Sequence, residues 1–173
     1  MSQRFAWLPS LLAQFDNEHV LVRGSSHLLL KPAHVIHVEI EDWKACVIQI
    51  AKQGCRWCAI WAEEYETSFT ISACYEKQGD YLVLLTEIDL DAPILFSQTK
   101  LYPAANRAER HLHDMFGIVF TDHPDNRRWT RHQAWEKHEY PLRKSFPVKG
   151  LGDYNPAYPT PADYGYAFLQ AQG

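Results

Sequence analysis

The sequence predicts an α+β fold of two layers, a mainly antiparallel sheet of four or five strands packed by two helices, followed by an irregular basic C-terminal segment. Three observations carry this expectation. Residues 42–52 and 103–116 repeat apolar side chains at helical spacing. Residues 56–65, 68–75 and 81–88 are successive aromatic and β-branched runs separated by short polar turns. Beyond Phe120, Pro124, Pro141 and Pro147 interrupt a polar run and forbid a long helix.

In chain order, residues 8–17 suit a short helix, and Gly24, Ser25 and Ser26 read as a loop. Residues 34–40, His-Val-Ile-His-Val-Glu-Ile, read as a strand. Asp42 then caps a helix whose apolar stripe is Trp43, Cys46, Val47, Ile50 and Ala51, with Gly54 as its stop. Glu66-Thr67 turns the first strand run into the second, and Lys77-Gln-Gly-Asp80 turns the second into the third, giving three antiparallel strands. After a brief extended stretch at 94–96, Pro103 suits a helix's first turn and Gly117 its C-terminal stop. At 100° per residue, Ala105, Ala108, Leu112, Met115 and Phe116 form the core face of that helix, while Arg107, Arg110 and Asp114 gather on the side expected to meet water or a partner. Glu109 and His113 flank the two faces, within reach of each other.

The 173 residues, 46% hydrophobic and 22% charged, suit one ordinary domain. The organisation expected is a helix and loop over 1–30, an α+β domain over 31–149, and an extended Pro- and Tyr-rich tail or connector over 150–173. No apolar run approaches the ~20 residues of a membrane helix, and the N-terminus lacks a secretory cleavage pattern, so the expected location is cytoplasmic. Net charge is −4, but residues 101–150 carry a net +3 and five of the nine histidines. That block is either a solvated face or a partner surface, and it motivates nucleic-acid binding as an alternative function.

The candidate chemistry is weak. Cys55-Arg-Trp-Cys58 is a lone CxxC at a helix end and strand start, whereas a thioredoxin-type thiolate needs a helix N-terminus. Structural thiols, a metal contact and a redox pair remain open readings. His111, His113 and His123 lie near Asp114, but helix residues two apart point away from each other, so His111 and His113 do not grip one ion together. A thiol- or metal-dependent enzyme using Cys55, Cys58 and these histidines is therefore kept only as an alternative. Phosphate-loop and nucleophile-elbow motifs are absent.

Residues 108–118, Ala-Glu-Arg-His-Leu-His-Asp-Met-Phe-Gly-Ile, with Phe120, His123-Pro-Asp125, Arg127-Arg128, Pro141-Leu-Arg-Lys144 and Phe146-Pro147, closely resemble the C subunit of the peripheral arm of NADH:quinone oxidoreductase. The same domain occurs at the N-terminus of the large subunit of membrane-bound NiFe hydrogenases of the formate hydrogenlyase and hydrogenase-4 type, and Tyr102-Pro-Ala-Ala-Asn-Arg107 looks more like that branch. The resemblance is strong over 97–147 and extends from about residue 31. Three positions depart from many members: His111 stands for a Glu, Asp122 for a Gly and Ser145 for an Asp.

The resemblance implies a domain that is itself inactive and without cofactor, docking onto the large catalytic subunit or a fused large-subunit domain of a complex I-like or hydrogenase assembly. Iron–sulfur clusters, a Ni–Fe site or quinone would belong to the partner. It would meet the membrane only through the complex, at the cytoplasmic face of the inner membrane, and bind no nucleic acid. Arg107, Arg110, Asp114, Arg127, Arg128, Arg143 and Lys144 are the expected partner-binding residues, the basic ones suited to directional bonds with carboxylates and carbonyls, although the same arginines can pin the loop internally. Glu109, Gly117, His123, Pro124 and Pro141 are the expected structural residues. The tail resembles the connector that leads into the fused large-subunit domain, so this chain is read either as one domain of a longer polypeptide or as a separate subunit.

Overall fold

A computed structural model describes residues 5–20, 33–131, 136 and 138–147, and the backbone of residues 22–26. The first helix, α1 (Leu8–Asn17), starts with Pro9 in its first turn and buries Leu8, Leu11 and Phe15 along one face. The Gly24–Ser26 stretch, expected as a loop, is part of strand β1 (Val22–Ser26). It pairs antiparallel with β2 (Ala33–Val38), its register shifting between Val22 and Gly24. Edge pairing through the backbone needs no period-two pattern, which is why the segment carried no strand signal.

Helix α2 (Ile40–Lys52) begins earlier than an Asp42 cap would place it. Glu39 is the N-cap, and Glu41 and Asp42 sit in the first turn, where carboxylates favour the positive end of the helix dipole. Ile40 therefore opens the helix rather than closing β2. The apolar stripe is as expected at Trp43, Cys46, Val47 and Ile50, and Gly54 follows at φ +73°.

Strands β3 (Arg56–Glu64), β4 (Ser68–Lys77) and β5 (Asp80–Asp89) form the expected meander. Tyr65 N–H donates to Ser68 O at 2.8 Å across the first turn, and the second is a two-residue turn with Gln78 and Gly79 both at positive φ, the geometry that matches strand twist. The sheet order is β1-β2-β5-β4-β3, with β2 and β5 parallel and every other pair antiparallel. One face of this sheet, with Ile36, Phe69, Ile71, Tyr75, Leu82 and Leu84 all fully buried, packs with the three helices into a single core. Fully burying each such side chain contributes about 1.5–3 kcal/mol. The opposite face carries a smaller cluster of Ala33, Val35 and Val83, flanked by Trp61, Cys74 and Leu85.

The chain then builds a second unit. Strand β6 (Ile94–Phe96) leads through a short 3-10 turn, Pro103–Ala105, into α3 (Asn106–Phe116), and β7 (Val119–Thr121) returns parallel to β6. Gly117 closes α3 at φ +77°, its N–H donating to His113 O at 2.9 Å. A Cβ at Gly117 would lie 2.7 Å from the Tyr140 ring, so both conformation and space require glycine there. No described helix is long and apolar enough to cross a membrane. The expected tail over 150–173 lies outside the described residues.

Candidate functional site: a basic loop fastened to α3

Two fully buried carboxylates project from α3, and each organises a different stretch of chain. Glu109 gathers the segment after β6: it accepts from Ser97 Oγ at 2.5 Å, Gln98 N–H at 2.7 Å and Thr99 Oγ1 at 2.9 Å. His123 Nε2 stands 3.6 Å from the same carboxylate. Burial pushes the Glu109 carboxyl above its ordinary range, and these bonds and His123 offset only part of that effect. The expected Glu109–His113 contact is replaced by these partners, because His113 Nδ1 instead bonds to Ile118 O at 2.9 Å.

Asp114 organises the loop after β7. Its Oδ2 accepts the consecutive backbone N–H groups of Trp129, Thr130 and Arg131 at 2.7, 2.6 and 3.1 Å, and Arg131 Nε lies 3.8 Å from Oδ1. Burial pushes this carboxyl up, but the three N–H bonds and the Arg131 charge outweigh it, so Asp114 titrates below the ordinary carboxylate range. The outward placement expected for Asp114 is therefore corrected. The helical wheel identifies a side of α3 opposite the core, but the basic loop covers that side.

Arg110 is likewise drawn inward. Its guanidinium donates to Arg127 O at 2.7 Å, Arg128 O at 3.0 Å and Asp125 Oδ2 at 3.0 Å, a fork that matches a folded backbone better than solvent. Asp125 completes the clasp. It accepts from Arg127 N–H, Nε and Nη2 at 3.0, 2.9 and 2.8 Å, and its own N–H donates to His123 Nδ1 at 3.0 Å. The Arg127 bonds lead in holding the Asp125 carboxyl well below its usual range. Pro124 lies inside this His-Pro-Asp turn. Asp122 adopts φ +62°, a conformation natural to glycine and tolerated by aspartate.

Residues 138–147 fasten to the far end of α3. Leu142 N–H donates to Met115 O at 3.1 Å and Arg143 Nε to Phe116 O at 2.6 Å, satisfying carbonyls that a helix end leaves unpaired. Arg143 also stacks against Phe69 and Tyr140, so its place is internal rather than on an outward surface. Pro141 stands in the turn between Tyr140 and Leu142. Lys144 instead lies near the β3–β4 turn: its N–H donates to Glu64 Oε2 at 2.9 Å, and its ammonium faces the Tyr65 ring. Arg143 and Lys144 thus serve different surroundings from Arg127.

What this scaffold holds outward is a small aromatic and basic patch. Trp129 is 48% exposed, with the Arg107 guanidinium 4.7 Å and that of Arg110 5.4 Å from its ring centre. Arg107, Arg127 and Arg128 are exposed, and His111 bonds to Thr130. An open cleft of about 270 Å³ reaches from Asn126 and Phe120 to the Glu109–His123 pair. Arg131 and Trp129, which orient this region, escaped the sequence reading because they sit in a stretch without periodicity. The described His, Cys, Asp and Glu residues include no group of three or more placed to hold a metal. His111, His113 and His123 each bond to a different neighbour. Cys55 is buried, and burial leads in pushing its thiol up to about 11.

The description "Respiratory-chain NADH dehydrogenase, 30 Kd subunit" matches residues 36–151. The NADH-quinone oxidoreductase C subunit of Xanthobacter autotrophicus is 32% identical over 134 residues, covering 76% of this chain and 62% of that protein. The corresponding protein of Maricaulis maris is 36% identical over 51% of this chain and 42% of its own length. The NADH-quinone oxidoreductase C/D subunit of Cronobacter sakazakii is 46% identical over 39% of this chain and 10% of its own. This chain therefore spans less than two thirds of the length of these relatives. Among solved structures, a trypsin-resistant fragment of Nqo5 superposes with a TM-score of 0.56 at 20% identity, covering 68% of this chain and 98% of the fragment. A chain of the membrane-bound sulfane sulfur reductase, an archaeal respiratory membrane complex, superposes with a TM-score of 0.62 at 19% identity, covering 82% and 84%. Both likenesses are of fold. With the matched stretch spanning β2 through the loop that Asp114 and Arg110 clasp, this chain belongs to the 30 kDa subunit family of the respiratory-chain NADH dehydrogenase.

Proposed function

We propose that this chain is a non-catalytic docking domain of a complex I-like redox assembly, packing against the large subunit that carries the redox chemistry. The observation that carries the reading is the Trp129 patch. A large aromatic side chain is held half in water by a loop whose backbone is tied down at Asp114 and Arg110, and rigid Trp and Arg groups are the residue types that anchor interfaces. The NADH-quinone oxidoreductase relatives, one of them a C/D protein, support the large subunit as the partner. Cofactors belong to the partner, and the isolated chain is inactive in NADH oxidation, quinone reduction and hydrogen turnover.

On this reading the domain meets the membrane only through its complex, at the cytoplasmic face. Tyr102–Arg107 favours the hydrogenase branch over the NADH:quinone oxidoreductase branch. Arg110, Arg131 and Arg143 are committed to internal bonds, which leaves a small basic area for nucleic acid, and the raised Cys55 thiol is poorly suited to thiolate chemistry.

Binding of the purified chain to the co-expressed large subunit tests the proposal. Trp129→Ala and Arg107→Glu should each weaken the complex roughly tenfold or more, the scale of a hot-spot loss, with little change in thermal stability. Unchanged affinity in both variants would overturn the patch as the docking site.

A further inference from the structure

Strand β3 breaks its alternation at one place. Trp57 pairs with Tyr75 and Ala59 with Cys74, and the register shifts between them, so Cys58 is the extra residue of a β-bulge. Trp57 and Ile60 both pack into the helix-covered core, whereas Trp61 and Cys74 pack on the opposite face. The bulge thereby places Cys58 and Ala59 together opposite Cys74. The Cys58 and Cys74 thiols are near enough to influence one another, and Cys58 Sγ lies 3.7 Å from Arg56 O. Both cysteines are half-buried, and neither is in a disulfide.

We propose that Cys58 and Cys74 are a redox modification site, closing a reversible cross-strand disulfide when the protein meets hydrogen peroxide. A bulge sets two residues of one strand against one of the other, so Cys58 shares the place opposite Cys74 with Ala59, next to a facing pair whose Cα atoms stand about 4.5–5.5 Å apart, and a disulfide spans about 4.4–6.8 Å. Burial and then Cys58 push the Cys74 thiol up to about 11, which makes Cys74 slow to form a thiolate and assigns the first attack to Cys58. The Cys58 thiolate attacks one peroxide oxygen, the O–O bond breaks, and the products are a Cys58 sulfenic acid and hydroxide. Cys74 sulfur then attacks Cys58 sulfur, the S–O bond breaks, and the hydroxyl leaves as water with the Cys74 proton. Two thiols lose two electrons to one peroxide, which becomes two waters. The CxxC partner suggested by spacing, Cys55, belongs instead to the helix-side core with Trp57.

The test is peptide mapping of the full chain after reduction, removal of reductant and mild peroxide treatment, under non-reducing conditions. The expected result is a Cys58–Cys74 linkage, loss of two of the four titratable thiols, and recovery of both with dithiothreitol. Cys55→Ser should leave the linkage intact. Cys74→Ser should abolish it and drive Cys58 on to sulfinic acid, since no neighbouring thiol resolves the sulfenic acid. A Cys55–Cys58 linkage, or Cys58 and Cys74 over-oxidised separately in the unsubstituted protein, would overturn the proposal.

Discussion

Glu109 and Asp114 lie on one helix, both fully buried, yet the protein treats their charges in opposite ways. Asp114 meets three consecutive backbone N–H groups and an arginine, an environment in which the ionised form is better solvated than in water. Glu109 meets two hydroxyls, one N–H and a histidine, and these do not fully replace the water it loses. Burial alone therefore does not set a carboxylate's behaviour. The kind of donor decides: each carboxylate accepts three bonds, but three backbone N–H groups beside an arginine favour the charge more than two hydroxyls and one N–H beside a histidine.

The largest effect is expected at Asp114. Asp114→Ala leaves three N–H groups without their acceptor and Arg131 without its nearest carboxylate, and should cost about 2–4 kcal/mol in chemical denaturation. Faster amide exchange at residues 129–131 should accompany the loss, and unchanged protection there would mean that Asp114 does not hold the loop. Arg110→Ala comes next. The guanidinium joins Asp125 to two carbonyls, so its loss should cost about 1–2 kcal/mol and loosen residues 125–128, whereas a truly outward arginine would be neutral.

The pH dependence of stability distinguishes the two acids directly. Asp114 is lowered in the fold from 3.8, so its stabilisation is complete above that value and is lost as pH falls through the folded pKa. Glu109 is raised from 4.5, so the folded protein holds the proton more tightly, and stability declines as pH rises from about 4.5 through the folded pKa. Glu109→Gln should flatten this upper decline while leaving the acid loss in place, and Asp114→Asn should do the reverse. Identical profiles for the two variants would erase the distinction.

The smallest effect is expected from Ser97→Ala, which removes one donor from Glu109 and should cost about 1 kcal/mol or less. Its sharper signature is an upward extension of the pH range over which stability declines, because the Glu109 carboxylate has lost part of its compensation.

Sequence periodicity and punctuation by themselves determined α1, the stripe of α2, the β3–β4–β5 meander and the Gly117 stop, because each depends on neighbours within a few residues. Motif spacing likewise determined the family. The tertiary structure alone decided that β2 runs parallel to β5, since that pairing follows a long crossover, and that Gly24–Ser26 forms an edge strand rather than a loop. It also decided the roles of Arg110 and Asp114. A helical wheel correctly sets them opposite Leu112 and Met115, but only long-range chain placement reveals that the aperiodic loop covers that side and turns apparent surface charges into buried clasps. The same holds for the thiols: CxxC spacing links Cys58 to Cys55, whereas the bulge in β3 sets it against Cys74 on the adjoining strand, because pairing register rather than sequence distance determines which side chains meet.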